Sequence, residues 1–214
     1  VSGESVYDEA SHSGVLRHLY MRRGEMSGEM MVCVVANGAA LHEEALLVEM
    51  LREAVPEITG ILLNINRERT NVVLGKTCRT LWGKDTITDT LCGLAFEIAP
   101  HAFYQVNRTQ AERLYGKAAE YAGLTGTETL LDLYCGTGTI GLSMAKNAKK
   151  LIGAEIVPAA VENARRNAER NAIQNAEFLC ADAAEAARIL FERGEKPDVI
   201  VIDPPRKGCD SALI

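Results

Sequence analysis

The 214-residue sequence predicts an α/β protein: a parallel sheet flanked by helices, preceded by a small α+β module. Two observations support this class. In the second half, short apolar runs alternate with helical patterns, which is typical of right-handed βαβ units. In the first half, β-branched runs with turn residues at their ends dominate. The character of the sequence changes near Gln105. We therefore expect two domains, residues 1–100 and 101–214.

The first domain shows strand patterns separated by one helical pattern. Leu46, Leu47, Met50 and Leu51 have the spacing of one helical face. The predicted strands cover 30–37, 57–67 and 71–75, with shorter ones at 86–91 and 94–98, and the predicted helix covers 42–54.

The second domain begins with a helix over 108–121, which Asn107 can cap and Gly123 can end. Pro158 marks a later helix start, where its missing N–H costs nothing. Beyond the first helix, we predict strands at 129–134, 150–156, 176–182 and 198–203, and helices at 139–147, 158–172 and 183–193.

Composition excludes several classes of protein. No apolar run approaches the roughly 20 residues of a membrane-spanning helix, and the first residues lack the layout of a signal peptide. We expect a cytoplasmic protein with no membrane partner.

No C-x-x-C pair of the kind that favours zinc or iron–sulfur binding occurs, so we expect reduced thiols and no metal. The six cysteines are Cys33, Cys78, Cys92, Cys135, Cys180 and Cys209.

The formal net charge of −6 argues against nucleic-acid binding by bulk electrostatics. Between Ile58 and Lys84, however, five cations face a single acid, Glu68. Two interpretations stay open: a solvated hairpin, or a local basic strip that contacts a phosphate backbone. The five cations are Arg67, Arg69, Lys76, Arg79 and Lys84.

A glycine-rich turn follows the first strand of the second domain. Gly136, Gly138 and Gly141 satisfy G-x-G-x-x-G between a strand and a helix, and Glu155 ends the next strand. This is the dinucleotide fingerprint, in which the acid binds ribose hydroxyls. S-adenosylmethionine, which also has a ribose and an adenine, is held by a similar device.

Acidic residues at the ends of four successive strands favour S-adenosylmethionine over a dinucleotide. Asp132 can face a cationic sulfonium ligand but would repel a pyrophosphate, and Asp182 can accept a hydrogen bond from an adenine amino group. Glu155 and Asp203 complete the row. Each acid alone is also explained as a helix cap or a solvated strand end. Ligands of open parallel sheets bind at these carboxyl ends.

Four stretches of the sequence resemble the RNA uracil-5-methyltransferases, which make 5-methyluridine in bacterial 23S rRNA and in tRNA. The combination of the first and the last stretch carries the specificity, because the glycine turn is common to many methyltransferases. The stretches are FYQVN, LLDLYCGTGTIGL, GAEIVPAAVENARRNAERN and DVIVIDPPRKG.

The resemblance implies a Rossmann-like S-adenosylmethionine-dependent methyltransferase sheet and a set of cofactor-binding residues. These are Gln105, Tyr134, Glu155 and Asp203. Thr139 stands where some relatives carry an asparagine, so its contact with the cofactor is left open. Arg206 and Lys207 follow the Pro-Pro turn on the substrate side, where cations can meet RNA phosphates.

The resemblance also implies that no catalytic residue lies within this chain. In the family, a cysteine of an S-C-N-P segment attacks uracil and a glutamate acts as base, and neither segment occurs here. Cys209 matches a non-catalytic position. We expect the first domain to correspond to the family's central RNA-binding module, and an N-terminal RNA-binding barrel to be missing. The chain is then expected to bind cofactor without turnover, with 23S rRNA as the expected partner of its parent and tRNA as the alternative.

Three other functions compete with this interpretation. An NAD-type oxidoreductase fits the glycine fingerprint and Glu155. An amino methyltransferase fits the cofactor, but such enzymes commonly carry an aromatic residue after Pro-Pro, where this chain has Arg206. A scaffold that only binds cofactor or RNA is the third alternative.

Overall fold

The structure, a computed structural model, describes residues 3–206 and 208–209. It divides into two compact units. The first unit runs to Asp89 and includes Ile98–His101, and the second contains Thr90–Glu97 and the residues from Ala102 onward.

The described fold contains ten strands, five α-helices and a short 3-10 helix over Ala145–Asn147. The strands are β1 Leu16–Arg23, β2 Met30–Ala36, β3 Ile58–Ile65, β4 Thr77–Gly83, β5 Ile87–Leu91, β6 Leu94–Ile98, β7 Thr129–Leu133, β8 Lys150–Glu155, β9 Ala176–Cys180 and β10 Val199–Ile202. The helices are α1 Glu44–Ala54, α2 Arg108–Ala122, α3 Thr139–Met144, α4 Pro158–Arg170 and α5 Ala183–Glu192. None of the described helices has the length and apolar character needed to cross a membrane.

The first unit is built on a four-stranded mixed sheet in the order β1-β2-β3-β4. Strands β2 and β3 are parallel, and the other two pairs are antiparallel. Helix α1 connects the parallel pair and packs Leu47, Val48 and Leu51 against apolar residues of β2 and β3. Both faces of β2 are buried beyond Met30, which explains its uninterrupted apolar sequence.

The prediction of a strand over 71–75 is wrong, because these residues form a loop. Two strands of this sheet, β1 and β4, were not predicted. Val72 and Val73 are 58% and 41% exposed. Their carbonyl oxygens accept hydrogen bonds from the Asn66 side chain at 2.8 and 3.2 Å instead of pairing with a strand. The β-branched residues therefore lie in a loop. Neither strand has the apolar/polar alternation of a half-buried strand: charged and apolar residues mix on both faces of β1, and polar and apolar residues mix on both faces of β4.

Strands β5 and β6 form a separate hairpin at the positions predicted for them. Cys92 and Gly93 connect the two strands and have φ angles of 52° and 75°. Two successive positive φ angles are the requirement of a tight hairpin turn, which glycine meets without strain.

The second unit contains a parallel four-stranded sheet in the order β10-β7-β8-β9. Its apolar core includes Leu131 and Leu133 of β7, Ile152 of β8 and Leu190 of α5. The predicted alternation of strands and helices is confirmed here, with helix ends differing by no more than a few residues.

Candidate functional site

The candidate site lies where the strand order of the parallel sheet reverses. The chain runs outward from β7 to β8 and β9, and then returns to place β10 on the other side of β7. Open α/β sheets bind ligands at such a switch point, outside the carboxyl ends of the strands. Ile202 pairs with Leu133. Asp203 and Tyr134 therefore leave the sheet side by side.

The turn after β7 presents bare backbone at this position. Tyr134, Gly136 and Gly138 all have positive φ angles, of 62°, 55° and 83°. The Gly138 N–H donates to the Cys135 carbonyl at 2.8 Å, which closes the turn. A Cβ atom added to Gly136 would meet nothing within 4 Å, so the space above this glycine is open. Glycine at position 136 therefore adopts the left-handed backbone conformation without strain, and its lack of a side chain leaves room for a ligand to approach.

Glu155 at the end of β8 is bonded to this turn. Its Oε2 accepts from the Gly136 N–H at 3.1 Å, and its Oε1 accepts from the Val157 N–H at 2.9 Å. An ionised carboxylate accepts about four hydrogen bonds. Both oxygens therefore retain acceptor capacity for a pair of ribose hydroxyls, the role predicted for Glu155.

Asp132 supplies a buried carboxyl group beneath the turn. Its side chain is 1% exposed, and Oδ2 accepts from the Gly141 N–H at 2.8 Å. Oδ1 is buried and has no hydrogen-bond partner among the described residues. Burial, together with the negative charge of Asp203, raises the pKa of Asp132 to about 7, although the Gly141 N–H bond opposes this rise. A cationic ligand would stabilise the ionised form, whereas a pyrophosphate would be repelled.

Tyr115 of α2 connects several predicted site residues, and sequence reasoning missed it. Its hydroxyl lies 3.2 Å from Thr139 Oγ1, and Thr139, Gln105, Asp203 and Asp132 all influence its pKa. Burial raises the pKa of Tyr115, the Thr139 hydroxyl and the Gln105 side chain lower it, and the charges of Asp203 and Asp132 raise it. The available signal was the i, i+4 pair Ala111 and Tyr115, the two buried positions of α2.

Two asparagines, one within α4 and one at its C-terminal end, connect this helix to the glycine turn and to β6. The buried Asn167 donates to the Thr137 carbonyl at 3.1 Å and accepts from the Glu97 N–H at 2.8 Å. Asn171 bonds both the N–H and the carbonyl of Ala95, at 2.9 and 2.8 Å. These residues were also missed. Their signal was the spacing of four between Asn163, Asn167, Asn171 and Asn175.

Other predicted positions lie outside this arrangement or outside the described residues. Asp182 caps α5 by accepting from the Glu185 N–H at 2.8 Å, so the alternative of a helix cap explains it without a ligand. Arg206 is exposed after the Pro204-Pro205 pair. Lys207 lies outside the described residues.

Cys135, the cysteine within the glycine turn, is a poor nucleophile. Burial raises the pKa of its thiol, and the charges of Asp132 and Glu155 raise it further. A thiol must ionise to attack. Within residues 3–206 and 208–209, no group of three His, Cys, Asp or Glu side chains could hold a metal ion.

The fold and the site together define a nucleoside-binding α/β domain whose carboxylates suit a cationic ligand. Glu155 retains acceptor capacity beside the open turn, and Oδ1 of Asp132, which has no hydrogen-bond partner among the described residues, leaves an acceptor beneath it. These features fit S-adenosylmethionine better than a dinucleotide.

Comparisons with known proteins agree with this class. Residues 124–212 match the model of a methyltransferase domain. An uncharacterised RNA methyltransferase of Staphylococcus aureus is 47% identical over 210 residues, which cover 98% of this chain and 46% of the relative. One from Halalkalibacterium halodurans is 45% identical over 208 residues, 97% of this chain and 45% of the relative. This chain thus spans about half the length of these curated relatives.

A solved structure resembles the chain over nearly its full length. It is the Pyrococcus abyssi tRNA (uracil-54, C5)-methyltransferase in complex with S-adenosyl-L-homocysteine. The TM-score is 0.80 at 31% identity, and the match covers 98% of this chain and 48% of that one. The predicted fold class is confirmed: the second unit has the Rossmann-like fold of S-adenosylmethionine-dependent methyltransferases.

Proposed function

We propose that this chain is part of an RNA (uracil-5-)-methyltransferase that transfers a methyl group to C5 of uridine. The observation that carries the proposal is the similarity to the Pyrococcus abyssi uracil methyltransferase, which extends over both units. The similarity to bacterial RNA methyltransferases supports an RNA substrate. The stretches FYQVN and DPPRKG support uracil as the base.

S-adenosylmethionine is the cofactor that the methyltransferase domain and the S-adenosyl-L-homocysteine complex of the neighbour indicate. It supplies a methyl group on a sulfonium centre. In our proposal Glu155 binds the ribose hydroxyls and Tyr134 packs its ring against the nucleoside. Gln105 and Asp203 bind the polar groups of the amino-acid portion.

The chemistry at uracil requires a further nucleophile. Uracil C5 is weakly nucleophilic, so a thiolate must add to C6 before C5 can accept the methyl group. A base must then remove the C5 proton, so that the bond between C6 and sulfur breaks and the thiolate leaves. The protonated thiol of Cys135 cannot do this. We propose that the full-length protein supplies the cysteine and the base from residues outside this chain. The chain by itself is then expected to hold the cofactor without turnover.

We propose 23S rRNA as the substrate, because DPPRKGCD is similar to the rRNA-modifying bacterial members of the family. A tRNA substrate is the second candidate, and the tRNA specificity of the Pyrococcus abyssi enzyme favours it. Either RNA implies action in the cytoplasm.

The decisive experiment uses the full-length protein with tritiated S-adenosylmethionine. Unmodified 23S rRNA and tRNA transcripts are offered separately, digested to nucleosides and separated by chromatography. We expect label in 5-methyluridine from the rRNA, and label from tRNA alone would favour the second candidate. Label in another base, or at a nitrogen of uracil, would contradict the proposal. The Asp203→Ala protein serves as the cofactor-site control.

A further inference from the structure

The first unit contains a long loop between β3 and β4, residues 66–76, called here the β3–β4 loop. It carries charged and apolar side chains at its surface: Arg67, Arg69 and Lys76 are exposed, as are the two valines Val72 and Val73. The cofactor site lies in the second unit, so the function of this loop is not explained by cofactor binding.

A buried arginine fixes the first half of this loop. The Arg17 side chain has 0% exposure. It donates to the carbonyl oxygens of Asn66, Glu68 and Thr70 at 3.0, 2.7 and 2.9 Å. Arginine is rarely buried unless its donors are used. Here the two terminal nitrogens bind three carbonyls at alternate positions, while Nε has no partner among the described residues. The intervening residues Arg67 and Arg69 are exposed.

Two buried asparagines fix the second half. Asn66, at 1% exposure, donates to the carbonyls of Val72 and Val73. Asn64, at 0% exposure, accepts from the Gly75 N–H at 2.7 Å and donates to the Gly75 carbonyl at 2.9 Å. The loop therefore has a defined conformation although it forms no strand. Binding residues are commonly carried on loops that a rigid scaffold positions in this way.

The charges of the β3–β4 hairpin are only partly neutralised. Lys76 pairs with Glu68 at 3.3 Å, and Arg79 and Lys84 pair with Glu44 and Glu29. Within the part of the chain that the structure describes, Arg67 and Arg69 have no acidic partner. These two guanidinium groups are therefore the cations of this region that remain available to an external anion.

We propose that the β3–β4 loop is an RNA-binding surface, in which Arg67 and Arg69 bind phosphate groups and Val72 and Val73 contact an exposed base or ribose. This inference rests on the proposed function, and it assigns part of RNA binding to residues far in sequence from the cofactor site. Guanidinium groups match phosphate geometry through paired donors. Single-stranded RNA presents unstacked bases to apolar side chains as well as phosphates. A loop that is already ordered loses little entropy on binding.

The test compares two variants of equal charge change. Arg67→Glu/Arg69→Glu reverses the two available guanidinium groups, and Lys146→Glu/Lys149→Glu reverses two exposed lysines of the second unit. Fluorescein-labelled 23S rRNA and tRNA transcripts are titrated with each protein at several salt concentrations, and S-adenosyl-L-homocysteine affinity is measured separately by calorimetry.

We expect the arginine variant to lose at least about tenfold in RNA affinity, with a shallower salt dependence. The slope of log K against log salt should fall by about 1.4 for two single-strand phosphate contacts. The lysine variant should retain wild-type RNA affinity, and both should bind S-adenosyl-L-homocysteine normally.

Unchanged RNA affinity in the arginine variant, or equal losses in both variants, would overturn the inference while leaving the proposed methylation intact. Absence of RNA binding by the wild-type chain would also overturn it. The proposed function is tested by a different experiment, the nucleoside analysis with the full-length protein. Label in another base, or at a nitrogen of uracil, would contradict it.

Discussion

Gln105 and Asp203 come from segments almost a hundred residues apart, yet both affect the pKa of Tyr115: the Gln105 side chain lowers it and the negative charge of Asp203 raises it. Tyr115 in turn is bonded to Thr139 at the start of α3. Residues that no local pattern connects thus act on one buried tyrosine. This convergence supports our proposal that Gln105 and Asp203 bind the cofactor.

Alanine at either position should weaken cofactor binding. Gln105→Ala and Asp203→Ala each remove a polar group from the proposed site, so we expect a loss on the order of 1 to 3 kcal/mol in S-adenosyl-L-homocysteine binding. Isothermal calorimetry measures this directly. Gln174→Ala and Asp85→Ala, at exposed positions, are the matched controls. Wild-type affinity in both site variants would mean that the site is misplaced.

Asp132 should make binding of the cationic cofactor depend on pH. Because its pKa is raised to about 7, the carboxyl of the free protein is largely neutral at pH 5 and ionised at pH 8. A sulfonium ligand favours the ionised form, so S-adenosylmethionine affinity should weaken as the pH falls below about 7, by at most about tenfold per pH unit.

Two controls separate the effect of the Asp132 charge from other causes of pH dependence: a ligand without the sulfonium charge and a variant without the carboxylate. S-adenosyl-L-homocysteine lacks the sulfonium charge and should show a smaller dependence on pH. Asp132→Asn should remove the dependence for S-adenosylmethionine. An equally steep pH profile in Asp132→Asn would show that another group is responsible.

At the scale of elements, α4 connects the glycine turn to strand β6 through buried side chains. Asn167 bonds both the turn and the backbone of β6. Glu97 of β6 also pairs with Arg166 and Arg170 of α4, at 3.1 and 2.8 Å. Polar side chains thus hold α4 to β6.

Asn167→Ala should destabilise the protein and weaken cofactor binding together. It leaves the Thr137 carbonyl and the Glu97 N–H buried without partners, which costs on the order of 2 to 4 kcal/mol. Urea unfolding with circular dichroism measures the loss of stability, and calorimetry measures the accompanying loss of S-adenosyl-L-homocysteine affinity. Asn147→Ala, at an exposed position, should change neither. If Asn167→Ala lowers stability but leaves affinity unchanged, the asparagine does not position the turn.

The elements that sequence reasoning found are those whose pattern is local. The βαβ alternation and the glycine turn follow from periodicity and from residues close together in the chain. The loop over 71–75 was taken for a strand because its β-branched residues carry no sign that Asn66 binds their carbonyls. Tyr115 and Asn167 were missed because each functions through a partner more than 20 residues away.

At the scale of the whole molecule, the chain combines a mixed-sheet unit with a parallel-sheet unit. The boundary predicted at residue 100 would keep the β5–β6 hairpin in the first domain, whereas the compact units assign Thr90–Glu97 to the second. The contacts of Ala95 and Glu97 with α4 account for that assignment. RNA binding by the first unit and cofactor binding at the four predicted residues remain proposals, and they are separable by experiment.

Calorimetric titration of the 214-residue chain with S-adenosyl-L-homocysteine, and in parallel with NADH, tests the central claim most directly. The carboxylates around the glycine turn should admit the first ligand with micromolar affinity and reject the pyrophosphate of the second. Binding of NADH, or heat from neither ligand, would contradict this account.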